Sequence, residues 1–343
     1  WLDSGGMPFA QEHYPFSKKD IAYPADFISE AIDQTRGWFY TLHAVGNIMG
    51  RGKAFKNVIC LGLLLDANGK KMSKSLGNVV DPWIMMDKYG VDSLRLWMYS
   101  VNQPGEPKNF DEKYVSEINN KFFNLLYNVL AFYELYRNKE DENNQLPKST
   151  NPLDNWILSR LSELTEMVTT SVENYKLMEP VRLMRTFIDD LSTWYLRRSR
   201  DRIKEGNQEA KKTLYFTLKN LVKLMAPFAP FASEDIWQKL KIEGVDEESI
   251  HLSSWPKLNL FEGNIIKEMA EVREVVTLGL QSRQKASIPV RQPLSEIVVK
   301  KYKFKQDYID IIKEELNIKD VKFDDGNEID VTLKTEINPE LKE

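Results

Sequence analysis

The chain has 343 residues, of which 42% are hydrophobic, 29% charged and 11% aromatic, and this composition excludes a disordered or low-complexity protein. Its net charge of −4 means that any surface for nucleic acid must be a local patch. A single cysteine, Cys60, excludes a disulfide framework and a zinc ribbon. No apolar segment reaches the roughly 18 residues of a membrane span, and no signal peptide opens the chain. We therefore expect a soluble, cytoplasmic protein.

Residues 1–95 alternate short strands with helices, which is typical of an α/β fold with a parallel sheet. The stretch "PADFISEAI" predicts a strand, and "DQTRGWFYTLHAVGNIMG" predicts a helix because its apolar residues recur at helical spacing. "NVICLGLLL" then predicts a buried strand that contains Cys60, and "DANG" predicts a turn after it.

From about Tyr89 onward strand signals vanish, and long stretches carry apolar stripes with a period of 3.6 residues up to about residue 260. These stretches predict a helical bundle. After a further helix, short strands around "QDYIDIIKEEL" predict a small α+β module. The predicted domains are residues 1–95, 96–262 and 263–343, the last of them incomplete.

The loop "KKMSKSLGN" follows the predicted strand and turn, and it carries the clearest chemical signal. Lys71 and Lys74 can converge on one group of phosphate oxygens, while hydroxyl and backbone N–H groups add donors. Lysine neutralises charge on a departing pyrophosphate without proton transfer. A solvated hairpin tip is the alternative interpretation of such a stretch. Because the nearest acids are Asp66 and Asp81, we expect this loop to be mobile without nucleotide.

The string "KMSKS" followed by "LGN" resembles the second signature of the class I aminoacyl-tRNA synthetases. "DQTRGWFYTLH" and "WLDSGGMP" are similar to segments of the isoleucyl-tRNA synthetases in that class, with Leu2 and Gly6 as departures. "STWYLRRSRDR", "APFAPFASEDIW", "HLSSWP" and "VRQPLSEI" resemble landmarks of the anticodon-binding helices and their continuation. The resemblance implies half of a Rossmann-like nucleotide-binding domain, then an anticodon-binding helical bundle and a small α+β module.

The resemblance also implies which residues bind isoleucyl-adenylate. The matching positions are Glu30, Asp33, Gln34, Trp38 and Trp1. An acidic group would hold the substrate ammonium, the other polar groups would hold the ribose, and the two tryptophans would wall the amino-acid pocket. Helix capping is the alternative role for the aspartate, and core packing is the alternative for the tryptophans.

ATP is implied to lie on the cationic loop. The matching residues are Lys71, Met72, Ser73, Lys74 and Ser75. Lys71 and Lys74 would be the catalytic pair, and Mg²⁺ would arrive with ATP rather than on a metal site of this chain.

A second cationic segment lies at residues 197–204. It holds five cations against one acid: Arg197, Arg198, Arg200, Arg202, Lys204 and Asp201. Two of the arginines continue an apolar stripe and are expected to be structural. The predicted tRNA-binding set is Trp194, Arg197, Arg200 and Lys204. A solvated helix end beside its negative dipole is the alternative.

A third basic stretch, "SRQKASIPVRQPL", contributes Arg283, Lys285 and Arg291. We predict a second RNA-facing or interdomain element there.

The family's H-I-G-H signature and its editing domain would lie upstream of this sequence, so the resemblance implies a fragment that is inactive alone. The expected partners are tRNA(Ile), L-isoleucine, ATP and the missing N-terminal half. Two alternatives stay open at this point. One is a valyl-tRNA synthetase relative, against which "DQTRGW" argues, and the other is a tRNA-binding module without activity.

Overall fold

The computed structural model describes residues 1–17, 21–139, 142–258, 263–300, 304–324, 326 and 329–334. The chain divides into two compact units, each assembled from three separate stretches. The first unit comprises Trp1–Leu130, Glu166–Asp189 and Val222–Trp255. The second unit comprises Ala131–Thr165, Asp190–Leu221 and Pro256–Glu343. The three domains expected from the sequence are divided differently, and their boundaries stay a prediction.

The α/β part of the first unit is built on two parallel strands. Its elements are α1 (Leu2–Ala10), β1 (Ala25–Ala31), a 3₁₀ turn (Ile32–Arg36), α2 (Trp38–Ile48) and β2 (Phe55–Leu61). Strand β1 pairs with β2 in parallel, and α2 is the crossover between them. A core of Ile28, Phe39, Leu42 and Ala54 joins strand to helix. The pairing confirms the predicted parallel sheet.

Strand β2 is less buried than its apolar sequence predicted. Val58 is 42% exposed and Leu61 is 41% exposed, although Cys60 packs against the core. Among the described strands β2 pairs only with β1, so it is an edge strand whose apolar side chains stay partly open. The chain then forms β3 (Leu64–Leu65), which pairs with a two-residue strand, β4 (Lys108–Asn109). Strand β4 interrupts the stretch that was predicted to be wholly helical.

The predicted helices of the middle of the chain are present. They are α3 (Pro82–Tyr89), α4 (Val91–Ser100), α5 (Glu112–Ile118), α6 (Asn124–Tyr136), α7 (Pro152–Glu173), α8 (Met178–Asp189), α9 (Arg197–Lys204), α10 (Gln208–Met225) and α11 (Pro230–Leu240). Two π-helical turns lie at Asn119–Phe123 and Asp190–Leu196. In the part of the chain that the structure describes, no helix combines the length and the apolar character needed to cross a bilayer.

The C-terminal part of the second unit is a small α+β module, as predicted. Its elements are α12 (Gly263–Lys285), β5 (Leu294–Lys300), α13 (Gln306–Leu316), β6 (Ile318–Asp324) and β7 (Asp330–Leu333). The sheet order is β6-β5-β7, with β6 parallel and β7 antiparallel to β5. Helix α12 contacts α13 at Gly279, where an added Cβ would lie 2.5 Å from a methyl carbon of Leu316. The predicted strand residues at 301–303 and 335–337 lie outside the described residues.

Candidate functional site

The predicted adenylate-binding residues follow the carboxyl end of β1. Glu30 and Ala31 end the strand, and Ala31 lies beside Leu61 at the carboxyl end of β2. The carboxyl ends of parallel strands are where α/β sheets bind ligands. Asp33 lies exposed in the 3₁₀ turn, whose N-cap is Ala31 with no side-chain cap bond, so Asp33 is not the cap of that turn.

Three of the predicted residues are brought together around the start of α2. The backbone N–H of Trp38 donates to Gln34 Oε1 at 2.9 Å. The Trp38 indole Nε1–H donates to the carbonyl oxygen of Ser4 at 3.0 Å, which ties α1 to α2. Trp1 lies against Gly37, where an added Cβ would come within 3.1 Å of the Trp1 ring and 2.6 Å of Gln34 Oε1. The Trp1 side chain nevertheless stays largely exposed.

The cationic loop is held at its base by one carboxylate. Asp66 Oδ1 accepts from the backbone N–H groups of Asn68 and Lys70, both at 2.9 Å. Asp66 Oδ2 accepts from Asn78 Nδ2 at 2.8 Å, and Asn78 Oδ1 accepts from the Ser73 N–H at 2.9 Å. The Asn78 amide and the Lys70 N–H hold the pKa of Asp66 below its usual value. These bonds differ from the expectation that little holds the loop in place.

Within that latched frame the phosphate-type donors stay available. Lys71 and Lys74 are exposed, and neither makes an ion pair with any residue that the structure describes. The Ser73 hydroxyl accepts from the Leu76 N–H at 3.3 Å and lies 3.1 Å from the Ser75 hydroxyl. The loop therefore presents two unpaired ammonium groups and a serine pair at its surface.

Sequence reasoning missed Asp66 and Asn78 as the residues that organise the loop. The available signal was the turn sequence "DANG", in which an aspartate at the first position accepts from N–H groups ahead of it. Asn78 lies 12 residues further on, so local sequence does not reveal its bond to Asp66.

The arginines at the start of α9 are largely neutralised by α13. Arg197 Nη2 donates to both carboxylate oxygens of Glu315 at 2.8 Å, and Arg198 Nη1 donates to the same carboxylate at 2.5 Å. Arg198 also pairs with Glu314. The Arg198 and Glu315 side chains are only 7% and 9% exposed, so this is a buried arginine–glutamate–arginine cluster. Arg198 is structural, as predicted, and the Arg197 guanidinium already has a carboxylate partner.

Trp194 is the clearest correction to the predicted RNA-binding set. Its ring is 8% exposed, and the guanidinium carbons of three arginines lie 5.3 to 5.8 Å from the ring centroid. The three are Arg197, Arg198 and Arg273. Because protein side chains already cover the ring, it offers no open face on which an RNA base could stack. We remove Trp194 from the set.

The remaining cations of α9 divide as the stripe predicted. Arg202 donates to Asp154, whose carboxylate is fully buried and also accepts from the Tyr195 hydroxyl at 2.9 Å. Burial and this carboxylate raise the pKa of Tyr195, so its hydroxyl stays protonated. Lys204 is exposed and pairs with Asp201 one turn away at 3.3 Å. Arg200 is exposed, and it has no carboxylate partner in the described part of the chain.

Arg283 does not face RNA, contrary to the prediction. It is 1% exposed, and its guanidinium donates to four backbone carbonyls. The acceptors are Pro289, Gln292, Leu316 and Asn317. Their carbonyls are satisfied by this one side chain, so Arg283 joins the end of α12 to the end of α13. Lys285 and Arg291 are exposed, and their predicted role stays a prediction.

Two family models match the chain. The class I tRNA synthetases of the I, L, M and V types match residues 1–111, and the anticodon-binding domain of tRNA ligases matches residues 154–299. The chain belongs to the class I aminoacyl-tRNA synthetases.

Curated relatives narrow the comparison within that class. The isoleucine–tRNA ligase of Clostridium novyi (strain NT) is 42% identical over 357 aligned positions, which cover 99% of this chain and 34% of that protein. The isoleucine–tRNA ligase of Clostridium tetani (strain Massachusetts / E88) is 41% identical over 99% of this chain and 34% of that protein. The chain therefore spans about a third of the length of these relatives.

Solved structures share the fold at lower identity. The LeuRS of Agrobacterium radiobacter K84, in a ternary complex with tRNA and LeuAMS, matches with a TM-score of 0.59 and 21% identity. That match covers 77% of this chain and 33% of LeuRS. Methionyl-tRNA synthetase of Mycobacterium tuberculosis with methionyl-adenylate matches with a TM-score of 0.55 and 18% identity, covering 74% of this chain and 53% of that one.

Proposed function

We propose that this chain is the nucleotide-binding and tRNA-binding part of a cytoplasmic isoleucine–tRNA ligase. The reaction is ATP-dependent activation of L-isoleucine to isoleucyl-adenylate, followed by transfer to tRNA(Ile). The observation that carries the proposal is the latched loop with its two unpaired lysines, in a chain 42% identical to an isoleucine–tRNA ligase. In this proposal residues 1–95 are half of a Rossmann-like domain, 96–262 the anticodon-binding bundle and 263–343 a small C-terminal module.

The adenylate site of the proposal lies at the carboxyl end of β1. Glu30 and Asp33 are exposed carboxylates suited to an ammonium group and a ribose. Gln34, Trp38 and Trp1 would form the wall of the amino-acid pocket, which is supported by their mutual packing at the start of α2. An apolar pocket of this kind separates isoleucine from valine by only about 1–3 kcal/mol.

The cationic loop would hold the phosphates of ATP and its Mg²⁺. When the isoleucine carboxylate attacks the α-phosphorus, Lys71 and Lys74 would neutralise the charge that develops on the departing pyrophosphate. Met72, Ser73 and Ser75 would complete the ATP contacts through backbone N–H and hydroxyl donors. Positioning and charge stabilisation carry this step, and the tRNA 2′-hydroxyl then attacks the adenylate.

For tRNA, the proposal keeps the cations of α9 that remain accessible. Arg200 and Lys204 are the phosphate-binding candidates, with Arg197 in a secondary role because its guanidinium is already shared with Glu315. The missing N-terminal half of the synthetase is the other expected partner, since the relatives are about three times as long.

Two other functions remain candidates. A valyl-tRNA synthetase relative would share the loop and the bundle, but the curated relatives at 40–42% identity are isoleucine–tRNA ligases. A tRNA-binding module without activity would keep the bundle and would not need the two exposed lysines of the loop.

The test uses this chain joined to the N-terminal half of an isoleucine–tRNA ligase relative. Lys71→Ala and Lys74→Ala should each lower the kcat of isoleucine-dependent pyrophosphate exchange by about 100-fold, because charge stabilisation at the leaving group is lost. Lys70→Ala is the matched control, since it removes an exposed lysine of the same loop. Equal rates for all three variants would contradict the assigned roles.

A further inference from the structure

Arg200 is set apart from its neighbours on α9 by what surrounds it. Arg197 and Arg198 are held by Glu315, and Arg202 is held by Asp154. The Arg200 guanidinium instead lies 5.6 Å from the centroid of the Phe132 ring, and in the described part of the chain it has no hydrogen-bond acceptor. Its N–H donors and its charge are therefore available to a ligand.

The ring beneath Arg200 belongs to an aromatic pair at the C-terminal end of α6. Phe132 and Tyr136 are one helical turn apart, with ring centroids 4.9 Å apart and planes inclined by 47°. Both rings are half-buried, so part of each ring is open to solvent. A cation above one open ring, with a second ring beside it, is an arrangement that stacks planar bases. We call Phe132, Tyr136 and Arg200 the α6 platform.

Two further unpaired cations lie beside the end of α6. Lys211 and Lys212, in the first turns of α10, line a shallow depression together with Asn138, which follows Tyr136 by two residues. Neither lysine makes an ion pair with a described residue. Glu142, which lines the same depression, is already neutralised by Arg137 at 2.8 Å. The charge that this depression presents is therefore positive.

We infer that the α6 platform binds an unpaired nucleotide of an RNA loop, with the base stacked on Tyr136 and Arg200 and the adjoining phosphates on Lys211 and Lys212. Stacking requires a base that is free of its helix, and this favours a loop over a duplex. The lysines supply the sequence-independent electrostatic attraction to the backbone. The inference rests on the proposed function for the RNA, but none of its residues takes part in activation of the amino acid.

The experiment compares two RNA probes bound to the 343-residue chain. One is a stem-loop with seven unpaired loop nucleotides, and the other is the same stem as a blunt duplex. Phe132→Leu keeps apolar packing and removes the aromatic face, so it should weaken binding of the stem-loop about tenfold and leave the duplex unchanged. Leu135→Ala is the control, because Leu135 is a 72% exposed residue of the same helix.

Arg200→Gln is the second variant and guards against misfolding, because an exposed side chain can be replaced without disturbing the core. It should weaken the stem-loop by about five- to tenfold with an unchanged melting temperature. Equal binding of the stem-loop by Phe132→Leu and Leu135→Ala would overturn the inference. Equal losses on stem-loop and duplex would also overturn it, as would displacement of the RNA by polyglutamate at matched charge concentration.

The outcomes separate this inference from the proposed ligase. If pyrophosphate exchange by the joined enzyme succeeds while the platform variants bind RNA normally, the ligase proposal stands and the platform fails. If the platform variants behave as expected while exchange fails, the chain is an RNA-binding protein and the ligase proposal falls.

Discussion

Asp66 organises the cationic loop, although it contacts neither of the lysines proposed to meet pyrophosphate through their side chains. Its two oxygens accept from two backbone N–H groups and from the Asn78 amide, and Asn78 in turn accepts from the Ser73 N–H. This geometry fixes the two ends of the loop and leaves Lys71 and Lys74 at its surface. Loop position and loop charge are therefore supplied by different residues.

Removing the latch should expose the loop to proteolysis. In Asp66→Ala the turn and Asn78 lose their common acceptor, so trypsin should cleave after Lys70, Lys71 or Lys74 several times faster than in the unsubstituted chain. Asp81→Ala is the control, because Asp81 accepts from the Trp83 N–H and caps α3 outside the latch. Cleavage at the same rate in both variants would show that the latch does not order the loop.

The latch should also depend on pH in one direction. The pKa of Asp66 is lowered below its usual 3.8 by the Asn78 amide and the Lys70 N–H, so these bonds favour the ionised carboxylate. The stabilisation is present above pH 3.8 and is lost as the pH falls through the lowered pKa. An NMR titration of the Asp66 carboxyl carbon should give a midpoint below 3.8, and Asn78→Ala should raise it. A midpoint that Asn78→Ala leaves unchanged would contradict this cause.

Two arginines of α9 should behave in opposite ways. Arg200→Ala should weaken tRNA binding by about 1 kcal/mol and flatten the salt dependence by about one unit, with little change in melting temperature. Arg202→Ala should cost about 3 kcal/mol of stability, because it leaves the buried Asp154 carboxylate without its cation. Filter binding over a salt series, beside melting curves for both variants, measures this. Early melting and an unchanged salt slope in both would make α9 purely structural.

At the level of secondary-structure elements, the second unit is held together by arginines that reach across long sequence separations. Arg197 and its partner Glu315 are 118 residues apart, and Arg283 joins α12 to the end of α13 through four carbonyls. A charged residue in a basic run is easily interpreted as solvent-exposed or RNA-facing when its acceptors are distant in the sequence. That is why sequence reasoning placed Arg283 and Trp194 on a surface.

Arg283 therefore gives a sharp test of packing in the C-terminal module. Arg283→Leu leaves four carbonyls without their donor in a buried site, and it should lower the free energy of unfolding by about 3 kcal/mol. Lys285→Leu, at an exposed position of the same helix, should change it by less than about 0.5 kcal/mol. Denaturant unfolding of both variants decides the point, and similar stabilities would mean that the carbonyls find other donors.

Elements were predictable wherever the apolar period was clear. The parallel strands β1 and β2, the long helices and the mixed sheet around α13 all follow from periodicity and turn residues. Exposure of β2 was not predictable, because an apolar run indicates a buried strand only if neighbouring elements cover it. The 66–78 latch and the clamp on α9 depend on pairs of polar residues, which leave no periodic signal.

On the scale of the whole molecule, the central claim is that this chain supplies part of an enzyme that activates isoleucine. Its resemblance to isoleucine–tRNA ligases covers 99% of its own length and about a third of theirs. The sheet residues and the loop proposed for the adenylate lie in the first unit, while the candidate RNA-binding residues of α6, α9 and α10 lie in the second. We therefore expect activity only when the rest of the nucleotide site is supplied.

The most direct measurement is amino-acid-dependent pyrophosphate exchange by this chain, alone and joined to the N-terminal half of an isoleucine–tRNA ligase relative. The account predicts no detectable exchange from the isolated 343 residues. It predicts exchange from the joined enzyme that favours isoleucine over valine by about 100-fold. Full exchange by the isolated chain, or a preference of the joined enzyme for valine, would contradict it.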